Sequence, residues 1–204
     1  MKLISFDDLV ATPWKNGGGV TRELACWPAG AALDDFLWRI SIAEVNRSGP
    51  FSVFPGIDRV ITLLEGDGMQ LIFADGERHA LTTPLLPYRF CGERNVNAQL
   101  AGAALQDFNL MLRRDAVDGS LQVRHESGGL ACDDGFVALF CTRGCWEITA
   151  PDGHRHQVEL RQTLTGECNR GTLRIQPLQA DSALLCVTVS VLARQPTGSH
   201  HGHD

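Results

Sequence analysis

No apolar run in this 204-residue chain approaches the ~18 residues of a membrane-spanning helix, so no span is expected. Basic excess is missing as well. Lys and Arg number 18 against 24 Asp and Glu, a net charge of −6, which argues against a nucleic-acid partner. No C-x-x-C occurs among the seven cysteines, and Cys141-x-x-x-Cys145 has no second pair at zinc-site spacing. A reduced, cytoplasmic protein with mostly buried thiols is the expectation. No His stands beside a distinctive Cys, so no catalytic thiol is assigned. The opening Met1-Lys2-Leu3-Ile4-Ser5-Phe6-Asp7-Asp8 reaches acidic residues too soon for a signal peptide. Long helical periodicity is nearly absent, which leaves short strands between turns.

The stretch with most chemistry is Trp14-Lys15-Asn16-Gly17-Gly18-Gly19-Val20-Thr21-Arg22-Glu23. An aromatic ring, two cations, an amide and a carboxylate surround three glycines. Such a run weakens any helix or strand interior and lets backbone approach a neighbour closely. It reads as a shaped binding loop entering an extended segment, and Gly18→Val is expected to distort it. It is no phosphate loop, because Lys15 precedes the glycines and β-branched residues follow.

Strand periodicity continues downstream. Trp38, Ile40 and Ile42 share one face of a strand, with Arg39, Ser41 and Ala43 on the other. Phe108, Leu110 and Leu112 likewise oppose Asp107, Asn109 and Met111. Between them lies an irregular aromatic stretch, Phe51 to Arg59. Strands at Val60–Leu64 and Met69–Phe73 with turns at Gly66-Asp67-Gly68 and Ala74-Asp75-Gly76-Glu77 suggest an all-β sandwich or barrel. The pattern repeats. Val60–Leu64 set over Val137–Cys141 without a gap puts Asp75-Gly76 on Asp152-Gly153, Leu71 on Ile148 and Leu81 on Val158. Two similar β units follow, 1–115 and 116–195, with a polar, disordered tail over 196–204.

If those polar strand faces line a barrel, they form a ligand pocket. Arginine suits a carboxylate because its guanidinium donates two parallel charge-assisted hydrogen bonds. The candidate ligand-binding residues are Trp14, Lys15, Asn16, Gly18, Arg22, Glu23, Arg39, Ser41, Arg59, Asp107 and Asn109. Arg59→Ala is expected to weaken carboxylate binding with little effect on folding. A metal centre is not expected. His154-x-His156 with Glu159 is too tightly spaced for the two-His, one-Glu set of a cupin barrel, and no fourth His follows before His200.

Four ordered blocks resemble the HutD/Ves family: the loop Trp14–Glu23, Trp38–Ala43, Gly49–Arg59 and Asp107–Met111. The resemblance implies a bicupin, two cupin-like β-barrel or jelly-roll units in one chain, without cupin metal ligands or another cofactor. It further implies a role in bacterial histidine utilisation: binding a carboxylate intermediate such as urocanate, formiminoglutamate or formylglutamate and tuning the pathway. Two alternatives stay open. One is an enzyme on a small carboxylic acid with Glu23 or Asp107 as general base. The other is a stress-related regulator that binds a protein. The sequence is compatible with a homodimer and specifies no oligomeric state.

Overall fold

The computed structural model describes residues 1–192, and the expected polar tail lies outside them. The chain enters on β1 (Lys2–Ser5), makes one 3-10 turn at Phe6–Asp8 and continues as β2 (Ala11–Pro13). It then forms β3 (Gly19–Trp27), β4 (Trp38–Val45), β5 (Gly49–Pro50), β6 (Ile57–Glu65), β7 (Met69–Phe73), β8 (Arg78–Leu81), β9 (Tyr88–Cys91), β10 (Val96–Leu100) and β11 (Leu105–Arg113). The second unit contains β12 (Val117–Arg124), β13 (Gly128–Cys132), β14 (Gly135–Arg143), β15 (Cys145–Thr149), β16 (Arg155–Glu159), β17 (Gln162–Cys168), β18 (Gly171–Pro177) and β19 (Ala183–Val191). No helix among the described residues is long and apolar enough to cross a membrane. Five of the seven cysteines are buried, and all are free.

Each unit is a pair of antiparallel sheets. In the first, β2-β3-β4-β11-β6-β9 packs on β5-β10-β7-β8. Between them Ile61, Leu63, Met69, Leu71, Phe73 and Ala98 form a core. In the second, β1-β17-β14-β19-β12 packs on β13-β18-β15-β16 around Leu139, Trp146, Ile148, Val158 and Leu173. A third core joins the units. Ile40, Ile42, Phe108 and Leu110 from the six-stranded sheet meet Phe140, Leu185 and Val187 from the five-stranded one. The apolar faces read from β4 and β11 therefore form the seam between barrels. Their polar faces turn into the first barrel instead of to solvent.

Two details depart from the sequence reading. The first strand does not belong with residues 1–115, because Lys2–Ser5 pairs antiparallel with Gln162–Thr165 on β17. Its alternation supplies an edge for the second unit's sheet, a pairing that local sequence does not encode. The repeat also slips. Leu71 and Ile148, and Leu81 and Val158, are buried in equivalent hairpins, with Gly76 and Gly153 at φ 93° and 87° in the turns. On the preceding strands, however, Val60 faces the seam while Val137 lies inside the second barrel. A one-residue slip exchanges every face of a strand. The strand bounds Ile57–Glu65 and Gly135–Arg143 put Arg59 on Val137, and only Gly144 separates β14 from β15 where three residues separate β6 from β7.

Candidate functional site

A cavity of about 460 Å³ opens into the first barrel. Strand alternation builds its wall: β4 contributes Arg39, Ser41 and Ala43; β11 contributes Asp107, Asn109 and Met111; β6 contributes Arg59. The register places these side by side, with Asn109 opposite Ser41 and Met111 opposite both Arg39 and Arg59. Two loop segments, around Trp14 and around Phe51, complete the wall together with Leu33.

Part of the buried wall is ionic. Arg59 is only 8% exposed, Asn109 5% and Asp107 1%. One Arg59 Nη donates to Asn109 Oδ1 at 2.8 Å, and Asn109 Nδ2 donates to Asp107 Oδ1. Asn109 thus links a cation to a carboxylate without direct contact between them. Phe90, Phe51 and Phe54 surround the guanidinium at 5.1, 5.3 and 5.7 Å, within cation–π range. Burial lowers the Arg59 guanidinium to about 10; Asp107 pulls it upward and Arg39 adds to the lowering. Burial pushes the Asp107 carboxyl up to about 7, against the opposing pull of Arg59 and Asn109. Arg59 Nε and Asp107 Oδ2 have no hydrogen-bond partner, and a buried orphan of this kind is unfavourable unless something fills its valence.

The glycine-rich loop forms the rim. Trp14 N–H donates to Gly19 O and Gly17 N–H to Trp14 O, each at 2.9 Å, which closes the turn. The Trp14 indole donates to Thr21 Oγ1 at 2.8 Å and meets Phe51 edge-on at 6.5 Å. Gly17 sits at φ 65°, and a Cβ on Gly19 would collide with the Glu44 carbonyl oxygen, so these two positions require glycine. Gly18 is less constrained: its Cβ would meet only the Asn16 side chain, at 3.1 Å, and its φ is not in the left-handed region. The expectation for Gly18→Val therefore moves to its neighbours.

Eight of the candidate residues line the cavity: Trp14, Lys15, Asn16, Arg39, Ser41, Arg59, Asp107 and Asn109. Lys15 is exposed at the rim. Three do not line it. Glu23 accepts from Arg39 Nε at 2.7 Å and so holds a lining cation from the neighbouring strand. Gly18 borders a smaller recess of about 210 Å³ shared with Arg47 and Phe51. Arg22 lies on the opposite face of β3, where it pairs with Glu44 and stands 4.9 Å over Phe6. Alternation decides this, because Thr21 and Glu23 take the cavity-side parity opposite Ala43 and Ser41. The aromatic surroundings of Arg59 were signalled by the irregular stretch containing Phe51 and Phe54. Phe90 and Leu33 carried no sequence signal.

Among the described residues, the second barrel carries no equivalent of this polar set. Asp107 and Asn109 pair across from Leu63 and Ile61, while Leu184 and Cys186 pair across from Cys141 and Leu139. The equivalents of Arg59, Asp107 and Asn109 are thus Val137, Leu184 and Cys186, all buried in an apolar core. The fold closes without the polar set. Among the described residues, no three His, Cys, Asp or Glu side chains are grouped to hold a metal. His154 is exposed at its hairpin and pairs with Asp152 at 3.1 Å.

These features define a class: a double cupin-like barrel with one polar, cation-lined pocket and one filled core. A cupin-family barrel protein from Leptotrichia buccalis superposes with a TM-score of 0.62 at 10% identity, over 93% of this chain and 96% of the other, a likeness of fold. The chain belongs to the HutD family, whose model matches residues 6–185. A relative from Pseudomonas putida, described as an uncharacterized 21.2 kDa protein in the hutC 3′ region, is 35% identical over 176 residues, 86% of this chain and 92% of the relative. The structure of HutD from Pseudomonas fluorescens SBW25, in a formate condition, gives a TM-score of 0.81 at 29% identity, covering 94% of this chain and 99% of the other.

Proposed function

We propose that the protein binds a small carboxylate in its first barrel, without a metal, and thereby modulates histidine utilisation. The observation that carries this is the buried Arg59–Asn109–Asp107 chain with an unfilled Arg59 Nε, against an all-apolar equivalent in the second barrel. A buried cation that folding does not require is explained by an anion that uses it. Arg39, braced by Glu23, and Lys15 at the rim add positive charge to the same cavity in a chain that is acidic overall. The cavity is large enough for one small acid. The position of the Pseudomonas putida relative 3′ of hutC supports an intermediate of histidine degradation: urocanate, formiminoglutamate or formylglutamate.

Calorimetric titration with these three acids tests the reading, with Arg59→Met as control. Saturable binding of one acid, weakened in the variant, is the expected result. No heat from any of them, with the protein folded, overturns it.

One observation favours a second reading. Asp107 is buried, titrates near neutrality and has a free Oδ2, properties that suit a general base. Under that reading, Asp107→Asn abolishes a saturable conversion of the bound acid, followed by product chromatography. Binding without conversion removes it.

A further inference from the structure

We propose that the first-barrel cavity takes up one proton, onto Asp107, together with the carboxylate of its ligand. Such uptake presupposes the carboxylate-binding reading above and adds the protonation step that reading entails.

Two open valences carry it. Asp107 Oδ1 is occupied by Asn109 Nδ2, and Oδ2 is unpartnered in a side chain that is 1% exposed. Arg59 gives one Nη to Asn109, and its Nε–H is unpartnered. The two open valences, one donor and one acceptor, belong to side chains of the same cavity wall. A ligand carboxylate offers only acceptors. It satisfies Arg59, but beside Asp107 it sets two negative oxygens together where water is scarce. Carboxylates that share a site do not both stay ionised. One proton resolves the conflict: Oδ2–H becomes a donor to the ligand oxygen, and the ligand remains an anion on Arg59. The proton comes from the solvent buffer, and no bond of the ligand changes.

The other charged groups around Asp107 permit this. Arg59 on β6 and the Asn109 amide on β11 favour its ionised form, and the Arg39 charge on β4 is already matched by Glu23 on β3. Lys15 contributes from the rim. The opposing sheet presents apolar groups such as Leu71 and Phe73. Glu44 is paired with Arg22, and Glu65 at the end of β6 is exposed beside Arg161. A bound carboxylate cancels the cationic support that keeps Asp107 ionised. Because burial already holds that carboxyl at about 7, one proton is within reach at neutral pH.

The test is calorimetric titration of the full chain with formylglutamate, whose carboxylates stay ionised above about pH 6. It is run from about pH 7 to about pH 8.5 in HEPES and in Tris, whose ionisation heats differ. Expected are close to one proton taken up per ligand at about pH 8 and an affinity that falls about tenfold per pH unit above neutrality. Asp107→Asn should bind with neither effect. If that variant does not fold, the two-buffer comparison on the unaltered protein decides alone. Saturable binding with constant affinity and equal heats in both buffers overturns the proton uptake and leaves the binding reading intact. Absence of saturation at every pH, with urocanate and formiminoglutamate as well, overturns the carboxylate site and the uptake with it.

Discussion

Replacing Asp107 with Asn should stabilise the empty protein at alkaline pH and leave it nearly unchanged in acid. The carboxyl rises from its ordinary 3.8 to about 7 on folding, chiefly through burial. Between those values the folded state holds a proton that the unfolded chain releases, so stability falls as pH rises through that window. Above about pH 7 the whole penalty is present. At about 1.4 kcal/mol per pH unit it is on the order of 4 kcal/mol. Relaxation around the buried charge reduces this, so about 2–4 kcal/mol is the expected gain in the variant. Asparagine mimics the protonated carboxyl in shape: its oxygen can accept from Asn109, and its amide nitrogen can face the cavity. Other carboxylates pull the opposite way. Backbone donors hold Asp75 and Asp152 below their usual range, while Arg94 and Arg114 do so for Glu77 and Glu93. All four are shared by both proteins and cancel in the difference. Urea unfolding of both at about pH 4, 6 and 8 gives the comparison, provided the slopes agree. Parallel stability–pH curves would refute the argument, since a neutral isostere would then have relieved nothing.

Three further outcomes follow from the same geometry. Arg59→Met should fold at a cost of about 1–3 kcal/mol, because Asn109 Oδ1 loses its buried donor and Asp107 its nearby cation, and should lose at least about tenfold in affinity for a small carboxylate. Arg59→Ala should lose a further ~2–4 kcal/mol by emptying the space between Phe51, Phe54 and Phe90, which corrects the expectation that it folds normally; chemical denaturation separates the two. Gly19→Ala should lower the melting temperature more than Gly18→Ala does, because Gly19 abuts the Glu44 carbonyl and Gly18 only a movable side chain. Leu173→Ala in the second barrel should cost about 2–5 kcal/mol by urea unfolding and leave ligand affinity unchanged by calorimetry, since the site lies in the other barrel.

Alternation made much of the site legible. The pairs Arg39 with Ser41 and Asp107 with Asn109 share strand faces in the sequence, and the register then sets them next to one another. Which face is interior was not legible, because a polar face meets solvent in a lone sandwich. Only the seam between two barrels, made by Phe108, Leu110, Ile40 and Ile42, turns it inward. Arg22 was misplaced because residues in a loop-to-strand segment show no parity until the pairing with β4 is known. Phe90 comes from a separate strand, and its place beside Arg59 is a long-range pairing of β6 with β9. The repeat was visible through its turns, but a slip of one residue on the preceding strand is invisible to an ungapped match of apolar residues.

The pairing of β1 with β17 bears on how the chain comes to be made. Residues Lys2–Ser5 leave the ribosome long before their hydrogen-bonding partners, Gln162–Thr165. For most of synthesis this strand has no place to dock, while the sheets of the first barrel can already assemble from β2 to β11. The cavity around Arg59 can therefore form on the nascent chain well before the second barrel is finished. The β1–β17 pairing is a contact of high sequence separation and is expected to close late. Deleting residues 1–5 should then slow or weaken completion of the second barrel while sparing a pocket to which they contribute no wall.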